Sequence, residues 1–401
     1  MTIRRRITQL AFVLLTLIGV FVVQGNAERW CPFGGVEALY TYASEGNMVC
    51  SLGVSNFYIL AAVLVITLLL RRAFCGYVCP IGALSEWLQR GAGRLGLRRV
   101  KVSYGLDRTL ALLKYVVLAI IVGVTWYGSE LYFRGYDPCY ALIGRHGEDI
   151  TTWAYIISGV IVVASLFITV PFCRWLCPLA AVLNPFSRFG LTRVRRHGDA
   201  CTGCGACTRA CPVDIPVDRL VDVTAARCMS CLKCVEVCPK QGDGALDWGP
   251  PRKFGGRWPQ GVLITLVLGV IGAAVAASYA FPLPSFVKTR GEEPAKIETV
   301  QLEVSGVACR GSATLLTYFI ERDDEFAIPG YVRIEAWPGP GAVPVHVTFD
   351  PARTDEELIK QAITEPYFDL DGGVWRDSPF AIAGYDPLGL GPINDAAGLE
   401  P

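Results

Sequence analysis

Five long apolar segments constrain the fold of this chain more than any other feature. A hydrocarbon core of roughly 30 Å is crossed by a helix of about 20 residues. Hydrophobic residues make up 52% of the chain, which is more than a soluble protein usually carries. The pattern predicts a membrane α-helical bundle with about five transmembrane helices, near residues 7–23, 54–70, 110–127, 153–171 and 260–281.

Positive charge is distributed unevenly between the loops. Arginine and lysine are concentrated before the first segment, in loop 71–109 and after the fourth segment, whereas the other loops hold only Arg29, Arg134 and Arg145. Positively charged loops stay in the cytoplasm. The bias predicts a multi-pass protein of the bacterial inner membrane, with the cysteine-rich segment cytoplasmic and residues 282–401 periplasmic. The 37 basic and 36 acidic residues nearly cancel, so no nucleic-acid partner is expected.

A repeated motif follows two of the apolar segments. FCGYVCPIG at 74–82 recurs as FCRWLCPLA at 172–180, and a cysteine beside a proline precedes each copy, at Cys31 and Cys139. The repeat predicts two helix hairpins of one design, with chance similarity of short apolar motifs as the alternative. Residues 25–27 would suit signal-peptide cleavage, but an uncleaved anchor is preferred because Cys31 belongs to the repeat.

Two copies of the run C-x2-C-x2-C-x3-C-P lie within residues 201–239. In such runs three thiolates bind one [4Fe-4S] cluster, and the fourth binds the other cluster. Gly203 and Gly205 let the backbone fold close to the inorganic core. Zinc ligands are spaced as separated pairs, and a cytoplasmic location disfavours disulfides. The predicted ligands are Cys201, Cys204, Cys207 and Cys238 for cluster 1, and Cys228, Cys231, Cys234 and Cys211 for cluster 2.

Four further cysteines belong to the repeated motif. Cys75 and Cys79 lie four residues apart at the end of a membrane helix, as do Cys173 and Cys177. Each pair can lie on one face of a continued helical turn, so the four thiols could bind a third metal or cluster at the cytoplasmic edge of the bundle. A redox-active dithiol pair and inert packing are the alternatives. The proline after both pairs favours metal or redox use.

Cys31, Cys50 and Cys139 lie in the outer loops, where oxidation is permitted. One interpretation is a disulfide between two of them. The other pairs Cys31 with Cys139, as metal ligands or as a disulfide, because they are equivalent in the repeat. No histidine lies within a predicted membrane helix and no C-x-x-C-H run occurs, which argues against haem b and haem c. No nucleotide-binding loop is present either.

Beyond residue 282 the sequence alternates between strand and helix patterns. It predicts a βαββαβ sandwich, with strands at 299–304, 331–337 and 343–349 and helices at 312–321 and 354–363. The predicted domains are a four-helix membrane domain, a ferredoxin domain, a fifth transmembrane helix and an extracytoplasmic α+β domain, at 1–200, 201–250, 258–282 and 283–401 respectively.

The paired C-x3-C-P motifs followed by the double cysteine run resemble the membrane polyferredoxins of the NapH, NosR and CcoG type, over about residues 1–250. The resemblance implies electron transfer between a cytoplasmic donor or the quinone pool and an extracytoplasmic redox enzyme, or metal reduction during enzyme maturation. By this resemblance the eight cysteines from Cys201 to Cys238 are cluster ligands, and the C-x3-C-P cysteines form a motif at the membrane edge. No flavin-binding domain like that of NosR precedes the motifs, so no flavin relay is expected.

Residues 300–363, with GVACRGSA after the first strand and VTFDPARTDEELIKQAI at the last strand and helix, resemble the heavy-metal-associated (HMA) domain of copper chaperones. That domain binds Cu(I) through C-x-x-C, but the two positions here are Cys309 and Ser312. With the second thiolate missing, Cys309 would bind a soft metal together with a partner's ligand. Otherwise the domain would dock a partner protein.

The preferred function is that of an electron-transfer component of an oxidoreductase system, within a multi-subunit complex and with no catalytic residue of its own. The clusters would exchange electrons with a donor or quinol, and redox partner proteins would bind on both sides of the lipid bilayer. A core of roughly 30 Å is too wide for one tunnelling step, so an intermediate centre or a quinone is expected. The alternatives are a metal (copper) reductase or maturation factor, in which Cys309 receives the metal, and an assembly scaffold stabilised by its clusters.

Overall fold

The chain forms two compact units. A computed structural model describes residues 2–22, 30–45, 48, 52–128, 136–137, 151–251, 256–321, 328–369 and 374–386. One unit consists of Met1–Glu37 with Ser55–Phe281, and the other of Ala38–Val54 with Pro282–Pro401. The apolar helices and the cysteine-rich segment therefore belong to one unit, whereas the second unit contains the carboxyl-terminal sheet.

The described part of the first 280 residues is mainly helical. The helices are α1 (Thr2–Leu17, continued by a π-helix at Ile18–Val22), α2 (Pro32–Glu45), α3 (Ser55–Leu70), α4 (Ala73–Tyr77), α5 (Pro80–Arg94), α6 (Tyr104–Leu110), α7 (Leu113–Gly128), α8 (Thr152–Phe167), α9 (Pro171–Trp175), α10 (Pro178–Arg188), α11 (Ala206–Ala210), α12 (Lys233–Glu236) and α13 (Gln260–Ala280). Strands β1 (Arg193–Arg196) and β2 (Leu246–Gly249) pair antiparallel and enclose the cysteine-rich segment.

All five predicted apolar segments contain a long helix. Three helical stretches of the described chain are long and apolar enough to cross a membrane, namely Ile3–Val22, Gly105–Tyr127 and Gln260–Ala280. The apolar helices α3 and α8 have 16 residues each, or about 24 Å at 1.5 Å per residue. They are shorter than a hydrocarbon core of roughly 30 Å. Length and composition thus support three membrane spans, and the count of five stays a prediction.

The helical region contains one design twice, as α3–α4–α5 and as α8–α9–α10. In each copy a five-residue helix contains the first cysteine, and the next helix begins at the proline after the second cysteine. Cys79 and Cys177 have nearly the same extended backbone, with φ −61° and ψ 118° against φ −62° and ψ 115°. The expectation of one continued helical turn was wrong, because a residue before proline is driven out of the helical region.

The cysteine-rich segment packs directly on the ends of the apolar helices. Phe74 of α4 and Met229 and Leu232 of the segment belong to one hydrophobic core. A side-chain Cβ on Gly76 would lie only 2.8 Å from the Met229 carbonyl oxygen. Glycine therefore permits a contact between α4 and the segment that any larger residue would obstruct.

The second unit contains a five-stranded antiparallel sheet in the order β3-β5-β6-β4-β9. Alternate residues of β4, including Val300, Leu302 and Val304, are buried in a core shared with the helices. The elements are β3 (Phe286–Arg290), β4 (Glu298–Ser305), α14 (Arg310–Glu321), β5 (Val332–Ala336), β6 (Val343–Phe349), α15 (Glu356–Thr364), a hairpin of β7 (Tyr367–Asp369) and β8 (Val374–Arg376), and β9 (Ala381–Ile382). From β4 onward, with that hairpin set aside, the order is βαββαβ, and β3 is an additional edge strand that the sequence did not predict.

Replacing Gly76 by Ala should destabilise the first unit by ~1–3 kcal/mol, because the new methyl group collides with backbone that cannot move freely. Thermal unfolding of the purified protein in detergent would measure the loss. Gly91→Ala is the matched control, since nothing lies within 4 Å of a Cβ at that position of α5. Equal stability of the two variants would contradict the close contact.

Candidate metal centres

Four cysteines line a cavity next to the apolar helices. Three come from the second run and one, Cys211, from the first. The cysteines are Cys211, Cys228, Cys231 and Cys234. Much of the remaining lining is apolar, including Val213, Ile215 and Leu232. This cavity, called the inner cavity below, combines the cysteines predicted for cluster 2.

A second cavity combines the other four cysteines of the two runs. Three come from the first run and one, Cys238, from the second. The cysteines are Cys201, Cys204, Cys207 and Cys238. Cys204 is exposed to solvent, whereas Cys207 is buried. This outer cavity therefore has one cysteine open to solvent.

The two runs wrap around their cavities with the same backbone conformation. Gly203 and Gly205 have φ of 69° and 67°, and the equivalent Ser230 and Leu232 of the second run have φ of 46° and 57°. Left-handed backbone is costly for residues other than glycine and persists where the surroundings impose it. Ser230 and Leu232 gave no signal in the sequence because neither residue type favours this conformation.

The donor set of both cavities suits an iron–sulfur cluster better than a single ion. Among the described residues no group of three or more His, Cys, Asp or Glu side chains is close enough to share one metal ion. In a [4Fe-4S] cluster each thiolate binds a different iron, so the four sulfurs lie around an inorganic core. Burial raises the pKa of the Cys211 thiol to about 12, and a coordinated metal would favour its thiolate. The Ile215 amide also donates a hydrogen bond of 3.4 Å to the Cys211 sulfur.

The four C-x3-C-P cysteines meet around the buried side chain of Arg72. Its Nη2 atom lies 3.9 Å from Cys75 Sγ and 3.4 Å from the Cys173 carbonyl oxygen. Cys173 in turn interacts electrostatically with Cys79 and Cys177. Burial raises the pKa of the Cys79 thiol to about 11 and that of Cys177 to about 12. We call this group the four-cysteine site.

The four-cysteine site adjoins the inner cavity. Cys228 interacts electrostatically with both Arg71 and Arg72. Gly76, the residue after Cys75, contacts Met229, the residue after Cys228. The inner cavity thus lies beside the four-cysteine site, and it shares both of its cysteine runs with the outer cavity.

A buried carboxylate joins the apolar helices to the cysteine-rich segment. Glu86 of α5 accepts hydrogen bonds from Arg5 and is ion-paired with Lys233 of α12 at 2.8 Å. Arg90 also bonds to it. Burial alone would raise the pKa of Glu86, but Arg5 and Lys233 outweigh burial and lower that pKa to about 2.

A second ion network makes the same connection on another side. Arg174 of α9 contacts Asp107 at 2.7 Å and Asp214 of the cysteine-rich segment at 2.8 Å. Asp214 also pairs with Arg99 at 2.7 Å. The segment is therefore held to the helices by charge as well as by apolar packing.

Four cysteines lie away from these centres or outside the described residues. Cys31 is exposed just before α2, and its carbonyl oxygen accepts a hydrogen bond of 2.7 Å from Asn56. Cys50 and Cys139 lie outside the described residues, so the predicted pairing of Cys31 with Cys139 stays a prediction. Cys309 is exposed at the start of α14, and hydrogen bonds from the Ser312 amide and hydroxyl lower the pKa of its thiol.

The sequence reasoning missed the buried charges around these centres. Arg71 and Arg72 were interpreted as loop residues that set membrane orientation, but they are 0% and 2% exposed. Glu86 and Lys114 were not identified at all. Only one feature of the sequence could have identified these residues, namely a charged residue in or next to an apolar helix. Buried charges in such places are often functional.

Family models match the regions that contain these cysteines. A 4Fe-4S binding domain matches residues 52–101 and again 150–197, and a 4Fe-4S dicluster domain matches 193–239. The double match coincides with the two copies of the helical repeat. Neither match extends beyond residue 239, so the resemblance of residues 300–363 to a heavy-metal-associated domain stays a prediction.

Several known proteins are similar to the chain. The putative electron transport protein YccM of Escherichia coli is 31% identical over 265 residues, which cover 64% of this chain and 74% of that protein. An uncharacterized protein of Methanocaldococcus jannaschii is 29% identical over 227 residues, covering 56% and 90%. The ferredoxin-type protein NapH of Haemophilus influenzae is 26% identical over 266 residues, covering 59% and 86%. No solved structure has significant similarity.

The apolar helices, the cysteine runs and these matches define an iron–sulfur electron-transfer protein of the membrane. The chain belongs to the family of membrane polyferredoxin electron-transport proteins that includes YccM. The predicted resemblance to NapH and NosR and the predicted function in electron transfer are thereby confirmed.

Glu86→Gln should lower the free energy of unfolding by about 3 kcal/mol at neutral pH, since it leaves Arg5 and Lys233 without their carboxylate. The pKa of Glu86 is lowered in the folded protein from 4.5 to about 2. Its contribution is therefore complete above pH 4.5 and is lost as the pH falls toward 2.

Unfolding measured against pH should show this loss in the unmodified protein and not in the Glu86→Gln variant. Asp243→Asn, which removes an exposed carboxylate paired with Lys240, is the matched control and should change stability little. A Glu86→Gln variant as stable as the control at neutral pH would refute the role of Glu86.

Proposed function

We propose that the chain conducts electrons from the outer cavity through the inner cavity to the four-cysteine site. One observation carries this proposal: each cavity combines three cysteines of one run with the last cysteine of the other. This is the ligand arrangement of two-cluster ferredoxins. In the proposed assignment Cys201, Cys204, Cys207 and Cys238 bind cluster 1, and Cys228, Cys231, Cys234 and Cys211 bind cluster 2.

The side chains around the two cavities suit the proposed roles. A bound [4Fe-4S] cluster supplies one-electron transfer. At the outer cavity, exposed Cys204 gives a donor close access to the cluster position. At the inner cavity, buried apolar residues such as Val213 and Leu232 exclude water. The Ile215 amide donates to the Cys211 sulfur and stabilises its negative charge.

We further propose that the four-cysteine site holds a third thiolate-bound metal or cluster. The match of a 4Fe-4S binding domain to both copies of the repeat supports this assignment. The contact between Gly76 and Met229 would bring such a centre close to cluster 2, which suits rapid electron exchange. Inert packing would not require four cysteines around one guanidinium.

The proposed orientation has the cysteine-rich segment in the cytoplasm and the second unit outside. The excess of Arg and Lys in the loops after the second and fourth apolar segments supports it. Beyond the four-cysteine site, a further centre in a partner subunit or a quinone would continue the path across the membrane. The second unit would dock an extracytoplasmic redox partner.

A metal reductase or maturation factor is the second candidate. It is favoured by Cys309, because exposure and a lowered thiol pKa are the properties of a cysteine that binds a soft metal. In this function the same electron path would end on a metal delivered at Cys309. Stoichiometric copper in the purified protein would favour it over the conduit.

Cys211→Ser should remove one [4Fe-4S] cluster and leave the other. Iron per chain should fall by about four atoms, and the retained cluster should be the one bound near Cys207. Iron and sulfide analysis of anaerobically purified protein, with electron paramagnetic resonance, would measure this. Cys31→Ser is the control and should keep all the iron. Loss of the Cys207-bound cluster alone would refute the crossed ligand assignment.

Reporter fusions would test the orientation. A cytoplasm-active reporter inserted at Gly242, in an exposed turn of the cysteine-rich segment, should be active, and the same reporter at Gly341 of the second unit should be inactive. A periplasm-active reporter should give the opposite result at both positions. Activity of the periplasmic reporter at Gly242 would overturn the proposed orientation.

A further inference from the structure

We propose that Arg72 and Lys114 are the counter-charge of an anionic thiolate centre at Cys75, Cys79, Cys173 and Cys177. The inference rests on the third centre proposed above. The inference predicts in addition that this centre is negatively charged and that Arg72 and Lys114 balance its charge. A neutral dithiol or disulfide at the same cysteines would not need these two cations.

Arg72 is a buried cation whose described partners are all neutral in the absence of a cofactor. Its guanidinium contacts Asn184 Oδ1 at 3.3 Å, the Cys173 carbonyl oxygen at 3.4 Å and Cys75 Sγ at 3.9 Å. Its Nε atom is buried without a hydrogen-bond partner in the described part of the chain. The side chain is therefore aimed at the cysteines without a carboxylate to balance its charge.

Lys114 is a second buried cation beside the same cysteines. It lies on α7, is 4% exposed, and interacts electrostatically with Arg72 and Cys177. Asp107 also interacts with it, but that carboxylate already bonds to Arg174, Trp175 and Arg227. Two like charges thus lie close together in a buried region.

The internal repeat shows that the position of Asn184, which contacts Arg72, can hold a carboxylate. Glu86 of the first copy is equivalent to Asn184 of the second copy, because each lies twelve residues after the phenylalanine of its motif. Glu86 balances the buried Arg5, whereas Asn184 offers Arg72 only an amide oxygen. Asn184 of the second copy therefore leaves the Arg72 guanidinium, which comes from the first copy, available to another anion.

An uncompensated buried cation is strongly unfavourable, and two are more so. Thiols and disulfides are neutral and compensate nothing. Four thiolates around an iron–sulfur core of two positive charges leave about two negative charges, which matches Arg72 and Lys114. A cluster fits better than a single ion, since no three of these cysteines are close enough to share one ion.

The test uses the full-length protein, purified anaerobically in detergent. The variants are Arg72→Gln, Arg72→Lys and Lys114→Met, with Arg195→Gln as control because its buried charge is paired with Asp247. Metal beyond the two ferredoxin-type clusters is measured by iron and sulfide analysis and by competition with a chelator. Arg72→Gln and Lys114→Met should each bind it at least tenfold more weakly, whereas Arg72→Lys and the control should bind it as tightly as the unmodified protein does.

A second measurement separates charge from folding. In a Cys75→Ser, Cys173→Ser background, which lacks the third centre, Arg72→Gln should unfold at the same or a higher temperature, because the anion is gone. A lower unfolding temperature would overturn the inference, since Arg72 would then stabilise the fold by itself. Unchanged metal affinity in Arg72→Gln and Lys114→Met would overturn it as well. Absence of any metal beyond the two clusters in the unmodified protein would instead refute the third centre itself.

Discussion

The close packing of the cysteine-rich segment against the ends of the apolar helices is the interaction on which the rest of the structure depends. Gly76 allows α4 to touch Met229, and two buried ion networks hold the surrounding surfaces together. A hydrophobic core continues across the junction. Distances between the cysteine groups are thus fixed by the fold. Along the proposed path, electrons would pass between these groups without the diffusional docking of a separate ferredoxin.

Positive charge accumulates at this junction for a physical reason. A cluster bound by four thiolates is anionic, and reduction makes it more so. In the proposed assignment, buried cations such as Arg71 and Arg72 would stabilise that charge in a region where water cannot. At the outer cavity Cys204 is exposed, so water can stabilise negative charge there. The two ferredoxin-type sites therefore lie in different electrostatic environments although their sequence runs are the same.

Much of this organisation could be predicted from the sequence, because it depends on patterns that are local. Runs of apolar residues predicted the long helices, and strand-like alternation of apolar and polar residues predicted β4, β5 and β6. The spacing of the cysteine runs gave two groups of four, which line the two cavities in the structure. Ligation by these cysteines stays a proposal. The clusters themselves are supported by the family models.

Features that depend on long-range packing could not be predicted. Whether Arg72 lies in a loop or inside the protein is decided by α10, more than a hundred residues away, which supplies Asn184. The edge strand β3 is defined only by pairing with β5, and its short sequence follows a proline-rich exit from the membrane helix. The break at Cys79 and Cys177 was predictable in principle from the following prolines. The spacing of four residues favoured a continuous turn instead.

The divergence of the two repeat copies explains how one design serves two purposes. In the first copy Glu86 binds Arg5 and Lys233, and so joins α5 to the cysteine-rich segment. In the second copy Asn184 occupies the equivalent position and leaves the charge of Arg72 directed at the cysteines. At equivalent positions, a carboxylate thus completes an ion pair in one copy, whereas an amide leaves a cation without a balancing charge in the other. Both copies contribute two cysteines to the four-cysteine site and both are ion-paired with the cysteine-rich segment, so the copies differ in the charge beside the cysteines and not in the elements that they join.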